Sequence, residues 1–219
     1  MAKDLAIILN SGSVNSAVVT AIAMQRYRPI FVHLSTDPQS GSRWQAAYEQ
    51  QVSHFKPYRE HTLVMPAIAP SSGGAAAASV AADPRAKGHL ALQLIELLPL
   101  LSVGARLASH YQASAIYFGL RAGTQTDDLA TATEFAQIWN ELLQLPCGQP
   151  ELELTAPLLE LEPWQVVDLG FQTSAPLDKT WSCDEETSEP CWACRGCRSR
   201  EAAFQQAGKP DALHGMRKL

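Results

Sequence analysis

The sequence predicts an α/β protein: a Rossmann-like, open, mostly parallel sheet with a zinc knuckle and a helix near its C-terminus. Three observations predict it. Short continuous apolar runs such as Leu5–Leu9 alternate with helical patterns, the rhythm of βαβ units around a sheet buried on both faces. The first run passes through a small polar turn, Asn10–Ser16, into a helix, and ligands of such sheets bind beyond the C-terminal ends of the strands. Four of the five cysteines fall between Cys183 and Cys197, spaced C-x7-C-x2-C-x2-C.

Each element has its own signal. Leu5–Leu9 is the first strand and Ala17–Arg26 the helix after it. Pro29–Ser35 is the second strand, Ser42–Phe55 a helix and His61–Met65 a third strand. Ala67–Gly88, with Ser71-Ser72-Gly73-Gly74 and an alanine run ending at Asp83-Pro84, has no periodic apolar face and reads as a long loop. A helical pattern runs from His89 to His110 and is expected to kink or restart at Pro99. Ala115–Gly119 is the fourth strand, followed by a polar loop over Leu120–Asp128. Thr131 or Thr133 caps a helix through about Leu145, with Phe135, Ile138, Trp139, Leu142 and Leu143 on one apolar stripe. Leu152–Thr155 is the fifth strand. Pro163 opens a short helix that Gly170 ends, and Arg198–Gln206 is the last helix, closed by Gly208. Residues 1–178 form the α/β domain. Residues 179–219 form the knuckle and a helical segment packed on it.

Bulk properties narrow the classes. A chain of 219 residues, 46% hydrophobic and 18% charged, is ordinary for a soluble globular protein with a sizeable core. A net charge of −5 argues against broad binding to nucleic acid. The N-terminus lacks a secretory apolar run, and no segment approaches the roughly 20 apolar residues that span a bilayer. The expected location is the cytoplasm, where a cysteine cluster means metal more often than disulfide.

Cys183, Cys191, Cys194 and Cys197 supply four thiolates, which satisfy a tetrahedral zinc ion with no open position, a structural site. An iron–sulfur cluster also takes four cysteines. Gly196 suits a tight turn between the last two ligands, and Pro190 stiffens the entry to Cys191. Trp192 reads as packing over the site, and Arg195 and Arg198 soften its negative charge. Cys147 reads as a free thiol. In the first turn, Ser11, Gly12, Ser13, Asn15 and Ser16 place backbone N–H groups at a helix N-terminus, an arrangement that holds phosphate. Asp37 and Arg43 lie in the loop after the second strand. Asp127 and Asp128 lie after the fourth, either to accept from the N–H groups of a ligand or to cap the following helix. His33 reads as a satisfied strand residue, and Trp139 and Trp164 as core.

Thr180-Trp181-Ser182-Cys183, the Cys191-x-x-Cys194-x-x-Cys197 run, Arg200-Glu201-Ala202-Ala203-Phe204 and Ala207-Gly208 resemble the 7-cyano-7-deazaguanine synthase family, a branch of the PP-loop ATP pyrophosphatases. Thr155-Ala156-Pro157-Leu158, Tyr117-Phe118-Gly119, Glu134-Phe135 and Asn140-Glu141-Leu142-Leu143 extend the likeness over Leu97–Gly208, with a looser match over Leu5–Ser35. The resemblance implies a PP-loop fold, a structural zinc, ATP and magnesium, and a homodimer. It also implies conversion of 7-carboxy-7-deazaguanine and ammonia to the nitrile, a step toward queuosine. The chain departs from the family where charge and close approach matter. The S-G-G-x-D-S signature reads Ser11-Gly12-Ser13-Val14-Asn15-Ser16. Leu101-Ser102 stand near the place of an Arg-Asn pair, Glu162 or its neighbour in place of a lysine, and Thr131-Ala132-Thr133 where an arginine is usual. Three readings therefore stand side by side. One is an ATP-dependent nitrile synthase. Another is a relative that binds a nucleotide, a base or a partner protein without turnover, and the third is a structural subunit that pairs with an active homologue.

Overall fold

The computed structural model describes residues 4–35, 42–64, 88–124, 126–185 and 187–214. Five strands, β1 (Leu5–Leu9), β2 (Arg28–Ser35), β3 (Arg59–Val64), β4 (Ala115–Phe118) and β5 (Glu153–Thr155), form one sheet in the order β3-β2-β1-β4-β5. Every neighbouring pair is parallel, and Ile7 aligns with Ile30 on one side and Ile116 on the other. The helices are α1 (Val14–Ala23), α2 (Arg43–Phe55), α3 (Gly88–Tyr111), α4 (Thr126–Gln144), α5 (Pro163–Gln172) and α6 (Arg195–Gln206), with a 3-10 turn at Leu177–Lys179.

The apolar runs are continuous because both faces of the sheet are covered. Ala6 and Ile8 point into one core with Val18 and Val19 of α1, Tyr48 and Phe55 of α2, Val166 of α5 and Phe204 of α6. Ile7 and Leu9 point into the other core, with Leu101 and Ala105 of α3 and Ala132 and Leu143 of α4. Period-2 alternation thus divides one apolar strand between two layers.

Several boundaries move, each for a local reason. Helix α1 starts at Val14, ahead of the expected Ala17, because the Ser13 hydroxyl caps it by accepting from Ser16 N at 3.2 Å. Helix α3 runs through Pro99 without a break. Ile95, whose carbonyl loses its partner there, is exposed to water. Helix α4 begins at Thr126. Thr131 and Thr133 are not caps, since their hydroxyls donate back to the carbonyls of Asp127 and Leu129. The buried stripe of α4 is Ala132, Phe135, Trp139 and Leu143, whereas Ile138 and Leu142 are exposed. Gly170 lies inside α5. It is small because a Cβ would meet Leu177 and Val18 at 3.0 Å. Trp164 is half-buried on the same helix. Helix α6 starts at Arg195, three residues early, capped by the Cys194 sulfur, which accepts from Cys197 N at 3.3 Å. The expected loop over 67–88 and the position of Asp37 lie outside the described residues, apart from Gly88 at the start of α3.

A buried charge ties the C-terminal helix to the segment that leads into the cysteines. The Arg200 guanidinium grips Asp211 through two hydrogen bonds of 2.7 and 2.8 Å, and also donates to Thr180 Oγ1 (2.7 Å) and to the Leu177 carbonyl (3.1 Å). Both charged side chains are nearly solvent-free. A second buried network shapes the end of β1. Asn10 donates to Gln51 Oε1, and its own Oδ1 accepts from Gly12 N. His33 Nδ1 lies 2.9 Å from the Asn10 carbonyl, which fixes Nδ1 as the protonated nitrogen, and the ring stacks on Tyr48 at 4.1 Å.

Two outcomes follow. Arg200→Ala strands the Asp211 carboxylate in the interior and is expected to cost about 3–5 kcal/mol in urea unfolding. Burial holds the His33 pKa below its ordinary 6.5, outweighing the opposing pull of the Asn10 carbonyl. The folded chain binds this proton less readily than the unfolded one, so His33's contribution is complete above pH 6.5 and is lost as pH falls below that value. Thermal unfolding between about pH 7.5 and 5.5 should show a smaller loss of Tm for His33→Phe than for the parent chain, although the variant starts lower because the Asn10 carbonyl loses its donor.

Candidate functional site

A cavity of about 490 Å³ opens at the C-terminal ends of β1, β2 and β4, where strand order reverses direction around β1. Its floor is the first turn: Asn10, Ser11, Ser13, Asn15 and Ser16. Arg43 and Trp44 come from α2, Gln93, Glu96, Leu97 and Leu100 from α3, Gly119 and Arg121 from the end of β4, and Trp181, Asp184 and Glu185 from the segment leading into the cysteines.

The floor is built from small residues for steric reasons. Gly12 has φ +82°, and a Cβ there would lie 2.8 Å from the Trp44 carbonyl. The Gly12 carbonyl accepts from Trp181 N at 3.0 Å, so the turn is tied to the cysteine segment behind the cavity. Of the five residues expected to hold phosphate, Ser11, Ser13, Asn15 and Ser16 face the cavity and Gly12 packs behind it.

The turn also bonds to itself. The hydroxyls of Ser11, Ser13 and Ser16 form a triangle with sides of 2.9–3.1 Å. Ser13 Oγ takes the Ser16 N–H and Ser16 Oγ takes the Ser11 N–H. Asn15 Nδ2 donates to the Gly119 carbonyl at 2.9 Å. A carboxylate at position 15 could not make that bond, because both partners would be acceptors.

The remaining expected residues scatter. Asp127 and Asp128 lie on the first turn of α4, where negative charge suits the helix dipole, and are not among the residues lining the cavity. Leu101 is in the core and Ser102 is exposed with its hydroxyl on the Leu98 carbonyl, so neither reaches the cavity. The adjacent pair on α3 that does reach it is Glu96-Leu97. Glu162 caps α5, accepts from both Thr124 N and Thr124 Oγ1, and is thereby held below the usual carboxylate range. His33 both sits in the strand network and faces the cavity.

Sequence reasoning missed Glu96, Gln93, Arg121 and Trp44. The phase of α3, which puts positions 93, 96, 97 and 100 on one side, was the signal for the first two. Burial raises the Glu96 pKa and lowers that of Arg121. Arg43 also stands 5.8 Å over the Trp181 ring. Among the described lining residues the cations are Arg43 and Arg121, against the carboxylates Glu96, Asp184 and Glu185.

The four cysteines converge. The sulfurs of Cys183, Cys191, Cys194 and Cys197 all lie within 4.8 Å of one another and could hold a metal ion. Cys191 and Cys197 are 4.0 Å apart and Cys194 and Cys183 are 3.9 Å apart, too far for disulfides. Backbone N–H groups of Asp184, Cys191, Ala193, Cys194 and Cys197 point at the sulfurs. Those of Ala193 and Cys194 bring the Cys191 thiol down to about 7. Gly196 is required by close approach rather than by a turn, because the Ser182 carbonyl occupies the place of a Cβ. The left-handed residue in the knuckle is Trp192, at φ +55°. It packs on the sulfur cluster and edge-on to His214. Arg195 and Arg198 are exposed at the start of α6 and Cys147 is an exposed free thiol.

No helix among the described residues is long and apolar enough to cross a membrane. The model of the family described as Queuosine biosynthesis protein QueC matches residues 5–208. A 7-cyano-7-deazaguanine synthase of Acidobacterium capsulatum is 24% identical over 223 residues, covering 96% of each chain. One of Parasynechococcus marenigrum is 27% identical over 222 residues, covering 96% of this chain and 97% of that one. Among solved structures, the U34-tRNA thiolase NcsA of Methanococcus maripaludis with its 4Fe-4S cluster overlays with a TM-score of 0.46 at 12% identity, covering 98% of this chain and 70% of that one. With the family match running from the first strand through the thiolate cluster to Gly208, the chain belongs to the QueC family.

Proposed function

We propose that this protein is a 7-cyano-7-deazaguanine synthase-like member of the QueC family that binds a deazapurine-type base in the cavity and no longer turns it over with ATP. One observation carries this reading: the turn beneath the cavity bonds to itself. The Ser16 amide that would face a phosphate is taken by the Ser13 hydroxyl, and the position of the family's acid is an amide committed to the Gly119 carbonyl. Hard Mg²⁺ calls for carboxylate at such a position, where Asn15 offers an amide, and the two lining cations do not match the charge of a triphosphate. These residues do not fit magnesium ATP. A planar base with N–H groups suits the same walls, through Trp44, Trp181 and acceptors such as Glu96.

A second reading, an active synthase, is favoured by the family match along the chain and by the intact thiolate cluster. Incubation with 7-carboxy-7-deazaguanine, ammonium, ATP and magnesium decides between them. Mass detection should find no nitrile, and calorimetry should give ATP a Kd weaker than about 1 mM. Nitrile formation, or micromolar ATP binding, would establish the active synthase instead.

We infer that the metal is zinc, held by Cys183, Cys191, Cys194 and Cys197 in a closed structural site. A tetrahedron with Zn–S of about 2.3 Å has edges of about 3.8 Å, close to the Cys191–Cys197 and Cys183–Cys194 separations, and all four sulfurs lie within 4.8 Å of one another. An iron–sulfur cube places each thiolate on its own iron and so needs a wider spacing. Bound zinc would neutralise part of the thiolate charge and fix the Trp181–Cys197 segment. Chelation with verified metal loss should lower Tm and increase amide exchange over residues 181–200. An unchanged melting curve would rule out a structural ion.

A further inference from the structure

The cavity contains a cation that the first turn does not account for. Arg121 follows β4, and its segment is fixed by Ala122 N and Gly123 N, which both donate to the Leu159 carbonyl at 2.9 and 3.1 Å. Gly123 has φ +76°, and a Cβ there would come within 3.2 Å of Glu162 Oε1 and 3.4 Å of Arg121 Nη1. Glycine therefore lets both side chains run along the same stretch of backbone. Glu162 is already engaged by Thr124, so it compensates the charge of Arg121 without occupying its donors. Among the described residues no hydrogen-bond acceptor meets the guanidinium, which is half-buried and lines the cavity.

A planar fork of N–H donors without partners among the described residues, on a fixed backbone and partly desolvated, matches the geometry of a carboxylate. One guanidinium balances one carboxylate. It does not balance a triphosphate among Glu96, Asp184 and Glu185. We propose that Arg121 binds the carboxylate of a planar heteroaromatic acid in this cavity, and so selects the carboxylated base over the same base without that group. Glu162 is its charge partner: a lysine there would repel Arg121, so an acid at 162 and an arginine at 121 go together. This rests on the reading above, in which the cavity takes a deazapurine-type base.

The test uses the full metal-loaded chain without ATP, titrated calorimetrically with 7-carboxy-7-deazaguanine, with 7-deazaguanine and with inorganic pyrophosphate. The carboxylated base should bind at least about tenfold more tightly than the bare base. Arg121→Gln should abolish that preference while leaving 7-deazaguanine binding within about twofold and Tm unchanged. Arg121→Lys, which keeps charge and loses the fork, should retain part of it. A preference that survives in Arg121→Gln overturns the proposal. So does failure of the carboxylated base to bind the parent chain, or pyrophosphate binding that Arg121→Gln removes. Nitrile formation in the presence of ATP would sink the loss of turnover but not this assignment, which is read without ATP.

Discussion

The Arg200 guanidinium is the fixed point from which both sites take their positions. It is buried with Asp211 and gives its remaining donors to Thr180 and Leu177, so the backbone entering the cysteine segment has one place to go. From Thr180 the chain passes at once to Trp181. Its amide bonds the Gly12 carbonyl, its indole donates to the Cys183 carbonyl, and its ring faces the cavity. A buried ion pair is a poor source of net stability, since desolvation offsets much of the attraction. Its value here is positional: it sets the register of the segment that serves the cavity and the thiolates together.

The turn beneath the cavity is held together by its own side chains. A glycine at position 13 would leave the Ser16 amide open. The serine found there closes it and caps α1 in doing so. Asparagine at 15 joins the end of β4 to the start of α1, a bond that a carboxylate would turn into repulsion. Both side chains are thus spent on internal bonds that order the turn. Arg121, on the cavity wall, has Glu162 as a neighbour of opposite charge.

Much of the fold was legible because its signals are local. Buried strands announce themselves as unbroken apolar runs, and five strands were placed to within two residues. The four sulfurs were legible because two-residue gaps have few other uses. The boundaries of α4 were not, because Thr131 and Thr133 look like caps in sequence and their alternative, a bond to the preceding turn, depends on the helix already being there. The cavity walls were the least legible. Glu96 and Arg121 come from elements far apart in the chain, and only the crossing of α3 over the end of β4 brings them to one space. Asp127 and Asp128 could be read either as ligand contacts or as helix-start acids, and the structure places them on the first turn of α4.

Asp184 marks where the two sites become one stretch of backbone. Its amide donates to the Cys194 sulfur, its carboxylate accepts from Gly196, and it lines the cavity beside Trp181. This creates an asymmetry in what evolution is free to alter. Ser13 and Asn15 make their bonds within the first turn and to Gly119, away from the sulfurs. The cysteines share their backbone with the wall that a ligand would meet. A lineage that abandons the chemistry but keeps the pocket would therefore be expected to carry its sulfur cluster intact long after its anion cradle has eroded.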